Sequence, residues 1–399
     1  MDNIMKRSKK LQEELIRHRR WLHQHPEVGF DLPQTKEYVR KELMALGLEP
    51  QDCGKCGLFA DIAGKPGKTF LLRADMDALP IDEEAEVEFV STNGHMHACG
   101  HDFHTAMLLG AAKLLSENRQ GLQGTVRLMF QSAEEILSGA KDMMDHGVLS
   151  GVDGAVMIHV ATATKFPTGT IVIAPPGVSA PAAIYFTIHV QGKGCHGAAP
   201  YKGADALTAA CHTLIALQEI QARELPSNLG AVLTVGQLQA GEADNAIPDE
   251  TILRGTLRAF ENDTVEFLKE RLNDISRGMA EVFRCKSDVT FTKSCPPLMN
   301  DPSLCEWAFN KLSGHFGDDQ VISAAELDRS VAGGSEDFAY ISQKVPAVML
   351  SLSAGSTAEG YTEPLHHPKV TFDEGALWVG AAALTILAVE GLQDQAGIG

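Results

Sequence analysis

The chain is short of positive charge. Its 399 residues carry 34 Lys and Arg against 52 Asp and Glu, a formal net charge of −18. Such a surface repels nucleic-acid phosphates and anionic lipid, so neither is expected as a partner. The sequence also offers no apolar run of about 20 residues, the length that spans a bilayer. The polar, basic start Met1–Lys10 is not followed by an apolar signal core, and a cytoplasmic location is expected. Eight cysteines without a secretory signal do not read as a disulfide framework. Cys53-Gly54-Lys55-Cys56 has no second CxxC to complete a zinc site. It reads as a surface turn with two free thiols rather than a redox centre. Internal repeats and low-complexity tracts are absent.

What is there fits a globular enzyme in size and balance. A length of 399 residues exceeds one ordinary core and suggests two domains, and 44% apolar with 22% charged residues is unremarkable for a folded protein. Apolar spacing predicts helices over 9–25 and 35–46, strands at 58–62 and 69–73, a helix at 104–118, a strand at 125–131, a helix at 138–146 and a strand at 155–158. Strands alternating with helices make an α/β layered sheet. Ala174–Pro181, rich in proline, reads as a hinge. Beyond it the order strand 184–191, helix 203–224, strands 230–240 and 250–260, helix 262–283 and strand 286–293 is β-α-β-β-α-β, a ferredoxin-like unit. The predicted organisation is residues 1–181 and 294–399 for one α/β domain and 182–293 for an inserted α+β domain.

The densest chemistry lies in His97-Ala98-Cys99-Gly100-His101-Asp102-Phe103-His104-Thr105. Thiolate and neutral imidazole are the donors that zinc and its divalent neighbours choose. Cys99 and His101, two apart on a looped segment, can face one ion. Asp75/Asp77, Glu134/Glu135 and His159 each stand just past the carboxyl end of a predicted strand, the edge where open α/β sheets bind ligands. Adjacent side chains on an extended segment diverge, so one of the two glutamates can bind metal while the other stays free as a base. His366-His367-Pro368 adds an imidazole pair on a loop. Each feature alone has a plain structural explanation; their common position at one sheet edge does not.

Asp75-Met76-Asp77-Ala78-Leu79-Pro80, His97 to Asp102, Glu134-Glu135, Gly192-Lys193-Gly194-Cys195-His196, Asn245-Ala246-Ile247-Pro248 and Gly334-Ser335-Glu336-Asp337-Phe338 occur in this order. Together they resemble the M20 metallopeptidase clan over nearly the whole chain, about 20–385, and most of all its amidohydrolase branch of N-acyl-amino-acid amidohydrolases, hippurate hydrolases and auxin-conjugate hydrolases. The resemblance implies a two-metal exopeptidase-like α/β catalytic domain with an inserted ferredoxin-like dimerisation (lid) domain. It implies two divalent ions per subunit, manganese or zinc before cobalt or nickel, held by Cys99, His101, Glu135, His159 and His366. His366 is chosen over His367 because the clan places one residue between ligand and proline. Glu134 matches the catalytic base. Asp77, and less directly Asp75, match carboxylates that orient ligand imidazoles. His196 matches a histidine that reaches the reacting carbonyl, often in the other subunit of a dimer. Asn245 and Arg258 match lid positions that hold the substrate's carboxylate, a task suited to the planar guanidinium.

The implied reaction is hydrolysis of an N-acyl-L-amino acid to a carboxylic acid and a free amino acid, in a homodimer built through the inserted domain. An aminopeptidase or dipeptidase of the same clan is the alternative. A non-catalytic binding protein on this fold would be expected to have lost a ligand or the base, and all six positions stand. Two departures from the branch are expected near the pocket. Phe103 replaces a usually small residue, and the loop Ala161–Phe166 lacks the customary tryptophan or aromatic-proline character.

Overall fold

The strands Lys68–Asp75, Gly124–Gln131 and Gly154–Ala161 are covered on both faces over most of their length, which is why they carry the unalternated apolar runs Phe70–Leu72, Leu128–Phe130 and Ala155–Ile158. In the computed structural model, which describes residues 2–174, 176–226, 228–323 and 334–394, these three pair in parallel at the centre of an eight-stranded sheet. Ala347–Ser353 joins in parallel beside Gly154–Ala161. The rest of the sheet is mixed. Gln51–Cys53 and Gly57–Ala63 add antiparallel strands on one side, and Ile171–Ile173 runs antiparallel to Ala347–Ser353 before Val321–Ser323 closes the other edge. The three-residue members are too short for periodicity to reveal; the antiparallel pairing of Gly57–Ala63, Gln51–Cys53 and Ile171–Ile173 makes the layered sheet a mixed one.

The chain divides into two compact units, one of Met1–Ser179, Met299–Asp328 and Asp337–Gly399, the other of Ala180–Leu298 and Arg329–Glu336. The expected boundaries were 181/182 and 293/294. In the first unit the helices His101–Glu117 and Leu377–Asp394 pack against each other, and both are buried nearly all round. The stretch Glu374–Asp394 is long and apolar enough to cross a membrane by length and composition, contrary to the sequence reading, but it lies inside the core of its unit. The expected helix 9–25 is two helices, Asp2–Lys10 and Gln12–Gln24, joined at Leu11. Cys53 and Cys56 are free but buried, not exposed on a surface turn. Cys53 ends a strand and its thiol points to the Met143 carbonyl oxygen, 3.4 Å away; the turn is Gly54-Lys55-Cys56, with the Cys56 side chain directed inward.

The second unit is ferredoxin-like. Its elements are Ala182–Gln191, helix Ala206–Glu219, Ala231–Ala240, Glu250–Ala259, helix Asn262–Val282 and Lys286–Cys295. The four strands are antiparallel, with Glu250–Ala259 and Ala182–Gln191 central and the other two at the edges. Alternating burial along Ala182–Gln191 puts Ile184, Phe186, Ile188 and Val190 into a core shared with Leu268 and Leu272. Within the segment expected as a hinge, Gly177–Ala180 form a short strand and Pro175 lies outside the described residues.

Candidate metal centre

Helix His101–Glu117 begins at Gly100, which has φ of 82° and leaves no room for a side chain: a Cβ there would sit 2.4 Å from Val160 Cγ2. Glycine therefore lets the chain turn sharply into the helix, and the turn presents Cys99 and His101 side by side. His101 Nδ1 donates to the Asp77 carbonyl oxygen at 2.8 Å, which leaves Nε2 as the free lone pair. His159 lies within its strand, two residues before the end, not past it as expected. Its Nδ1 donates to the Val160 carbonyl oxygen at 2.7 Å, so its Nε2 is likewise free and lies 3.6 Å from Cys99 Sγ. His366 Nε2 is 3.2 Å from the same sulfur and 3.7 Å from Glu135 Oε2, while Glu135 Oε1 is 3.8 Å from His101 Nε2.

Five donors thus converge: thiol, three imidazoles and a carboxylate, all in the first unit. Their chemistry suits divalent metal. Buried His101 Nε2 and Glu135 Oε1 have no hydrogen-bond partner, and a buried polar atom left without one costs about 1–3 kcal/mol. Coordination would satisfy both, so the residues fit the ions implied by the resemblance.

Glu134 and Glu135 sit in a turn rather than on an extended segment. Ala133 and Leu137 flank them with φ of 61° and 55°, conformations costing on the order of 1–3 kcal/mol each for non-glycine residues. Gly139 closes the turn where a Cβ would lie 1.6 Å from the Ser132 carbonyl oxygen. Asp77 holds the turn by its carboxylate, Oδ1 accepting from Glu134 N at 2.9 Å and Oδ2 from Glu135 N at 3.1 Å. The orienting task expected of the Asp77 carboxylate falls instead to its main-chain oxygen on His101. The Asp75 carboxylate grips Arg73 Nη1 and His104 Nδ1, each at 2.5 Å, and its Oδ2 stands 3.8 Å from His101 Nε2.

Burial dominates the electrostatics. It pushes Glu135 up to about 7 against the pull of His101, and raises the Cys99 thiol. It lowers His159 to about 4, so the imidazole is neutral, the form that ligates. Burial opposes a charge on His101 as well, but Asp75, Cys99 and Asp77 outweigh it and raise that imidazole well above its usual range. An ion would displace the proton these groups otherwise share.

His104 is satisfied without metal: Nδ1 bonds Asp75 and Nε2 accepts from Val160 N at 2.8 Å. His367 turns to Glu363, 3.3 Å away. Phe103 does not line a pocket. It is fully buried, 5.4 Å from the Phe372 ring and under the Arg19 guanidinium. In the second unit His196 and Asn245 are both exposed. A two-residue ladder pairs His196 with Ala246, and Gly197 N donates to the Asn245 carbonyl oxygen. Arg258, half-buried on its strand, donates to Ser335 Oγ. The sequence reading missed Arg73 and assigned no role to Asp337. A lone arginine inside a buried strand, and an aspartate within Gly334–Phe338, were the available signals.

A family model described as Peptidase family M20/M25/M40 matches residues 71–390. The N-acetyl-L-cysteine deacetylase of Bacillus subtilis (strain 168) is 36% identical over 370 residues, 92% of this chain and 85% of that protein. IAA-amino acid hydrolase ILR1-like 2 of Arabidopsis thaliana is 35% identical over 391 residues, 96% of this chain and 87% of its own. Among solved structures, the Bacillus subtilis YXEP protein, a dinuclear metal binding peptidase from the M20 family, has a TM-score of 0.79 at 32% identity, covering 96% of this chain and 99% of that one.

Proposed function

This chain belongs to peptidase family M20/M25/M40, and from that premise we propose that it is a metal-dependent amidohydrolase cleaving N-acyl-L-amino acids to a carboxylic acid and a free amino acid. The observation that carries the reading is the convergence of Cys99, His101, Glu135, His159 and His366 beside a second carboxylate, Glu134. The deacetylase and the IAA-amino acid hydrolase among its relatives support the substrate class.

Cys99, His101, Glu135, His159 and His366 would hold two divalent ions; imidazole and thiolate favour zinc, and carboxylate suits manganese. Bound there, they would lower the pKa of a water and polarise the scissile carbonyl. Glu134, buried at the centre, takes the water's proton and returns it to the leaving amine. His196 donates to the carbonyl oxygen as charge develops there. Asn245 and Arg258 hold the substrate's α-carboxylate, and binding energy from that remote group helps assemble the site. A homodimer through the second unit and a cytoplasmic location complete the proposal.

Chelation should abolish hydrolysis of N-acetyl-methionine and hippurate, and manganese or zinc should restore it. The free acids should be cleaved in preference to their methyl esters and to an unblocked dipeptide. Full turnover by metal-free protein overturns the metal reading. Preference for the dipeptide makes the protein a peptidase, and equal rates for acid and ester remove the carboxylate role of Asn245 and Arg258.

A further inference from the structure

The turn that carries Glu134 is strained, and strained backbone persists only where surrounding structure over-determines it. Asp77 holds it from one side. The other side is held by Asp337, more than 190 residues away in sequence. Asp337 Oδ1 accepts from the side chain of Gln131, the last residue of the strand entering the turn, at 2.7 Å. Oδ2 accepts from Ala140 N, in the first turn of the helix leaving it, at 2.9 Å. The two ends of the turn are therefore tied to one carboxylate. The backbone N–H of Asp337 donates to Glu134 Oε1 at 3.3 Å. Arg73 Nη2 bonds Asp337 Oδ1 at 2.8 Å while Nη1 bonds Asp75, and Arg73 Nε donates to Gln131 Oε1 at 3.0 Å. Arg73, Asp75, Gln131 and Asp337 are all buried. A buried network with its members bonded to each other is rigid.

We propose that Asp337, backed by Arg73, is a positioning residue for Glu134: it fixes both ends of the turn and directs one oxygen of the base, so that the other faces the reacting atoms. It acts through Glu134 and touches no substrate atom. The inference rests on the reading of Glu134 as the base.

Asparagine at 337 keeps the shape but puts an amide N–H against either Ala140 N–H or the Arg73 side, so one tie must break. Asp337→Asn should lower kcat about 10–100-fold with KM within twofold and metal content unchanged. Amide hydrogen exchange should quicken across 133–140 and nowhere else in the first unit. In a Glu134→Gln background the same substitution should change the residual rate less than twofold, because a positioning residue has nothing left to position. Equal losses in both backgrounds, loss of metal, or unchanged exchange across 133–140 overturns the proposal. If Asp337→Asn does not fold, Gln131→Met, which cuts the entering tie while sparing the Arg73–Asp337 pair, takes the same three measurements with the same criteria. Activity retained by Glu134→Gln alone would overturn the base assignment, whereas the exchange result reports on the ties independently.

Discussion

The two units carry their candidate site residues in opposite ways. In the first, four of the six proposed ligand and base residues are bonded to a neighbouring group outside the donor set, His101 to Asp77, His159 to the Val160 carbonyl, and the amides of Glu134 and Glu135 to the Asp77 carboxylate, while exposed His366 is fixed by its backbone N–H on the Ala98 carbonyl oxygen. In the second, His196 and Asn245 are exposed; a two-residue ladder and the Gly197 amide hold their backbone, Ala198 N donates to His196 Nδ1 at 3.0 Å, and half-buried Arg258 donates to Ser335 Oγ. An ion tolerates little error in the position of its donors, so those side chains must be locked before it arrives. A group that meets a substrate can stay exposed with a single bond to set its tautomer: Nδ1 of His196 accepts from Ala198 N, so a neutral ring carries its proton on Nε2, ready to donate.

The sharpest way to break that comparison is to remove two groups from the first unit and one from the second, one at a time. Glu134→Gln should lower kcat by about 10²–10⁴-fold while metal and fold remain, since proton transfer is lost and coordination is not. Glu135→Gln should instead release metal at chelator concentrations the parent withstands. His196→Ala should cost about 10²–10³-fold in kcat, the range for removing one donor to a developing oxyanion, with Tm and metal content unmoved. Rates, elemental analysis and thermal melts on the three variants decide. If His196→Ala loses metal or stability, the second unit's residue is structural and the contrast collapses.

A smaller effect sharpens the same contrast through pH. His97 and His104, both buried, are held by burial at about 3 and about 4. Their unfolded value is about 6.5. Between these values the unfolded chain binds more protons than the native one, so stability falls as pH falls from about 6.5 towards 4, by up to about 1.4 kcal/mol per pH unit for each histidine. His23 runs the other way. Burial and Arg19 oppose its charge, but Asp102 and Glu83 raise it, so its contribution is complete below about 6.5 and fades only as pH rises through the raised value. Urea midpoints of metal-loaded protein should hold near pH 7 and drop steeply below 6, with hydrogen exchange showing the first unit opening first. His97→Gln should reduce the slope. Flat midpoints down to pH 4.5 would contradict the buried neutral histidines.

Much of this was legible in the sequence because it rested on local rules. Period-two alternation marked Ile184–Gln191 of the strand Ala182–Gln191, and the β-α-β-β-α-β order named the second unit's fold. Cys99, His101, the Glu134/Glu135 pair, His159 and the His366/His367 pair stood out as residue types at strand ends and loops, but the choice of Glu135 and His366 within their pairs came from the resemblance. What was not legible depends on long-range contact or backbone detail. The turn at Glu134 is set by Ala133 and Leu137 in left-handed conformations that no sequence rule demands. The burial of Cys53 depends on the helix Gly139–Asp145, which supplies the Met143 carbonyl. Arg73 was passed over because a charged residue amid apolar neighbours gains meaning only when Asp75, Gln131 and Asp337 are known to surround it.

Phe103 offers the finest test, because sequence and structure assign it to different places. Its departure from the small residue usual at that position suggested a pocket wall. The ring is instead fully buried, against Phe372 at 5.4 Å and under the Arg19 guanidinium at 4.9 Å. Arg19 also donates to Asp102 at 2.9 Å, so the aromatic face supports a buried ion pair next to the metal-binding turn rather than a substrate. Phe103→Leu keeps an apolar side chain of nearly the same volume and removes the ring. It should cost about 1–2 kcal/mol, from imperfect repacking and the lost cation–π contact, seen as a lower urea midpoint at unchanged slope. The ratio of kcat/KM for N-acetyl-methionine to that for hippurate should stay within twofold. A shift of that ratio by tenfold, with stability unchanged, would return Phe103 to the pocket and make it a determinant of the acyl or side-chain preference.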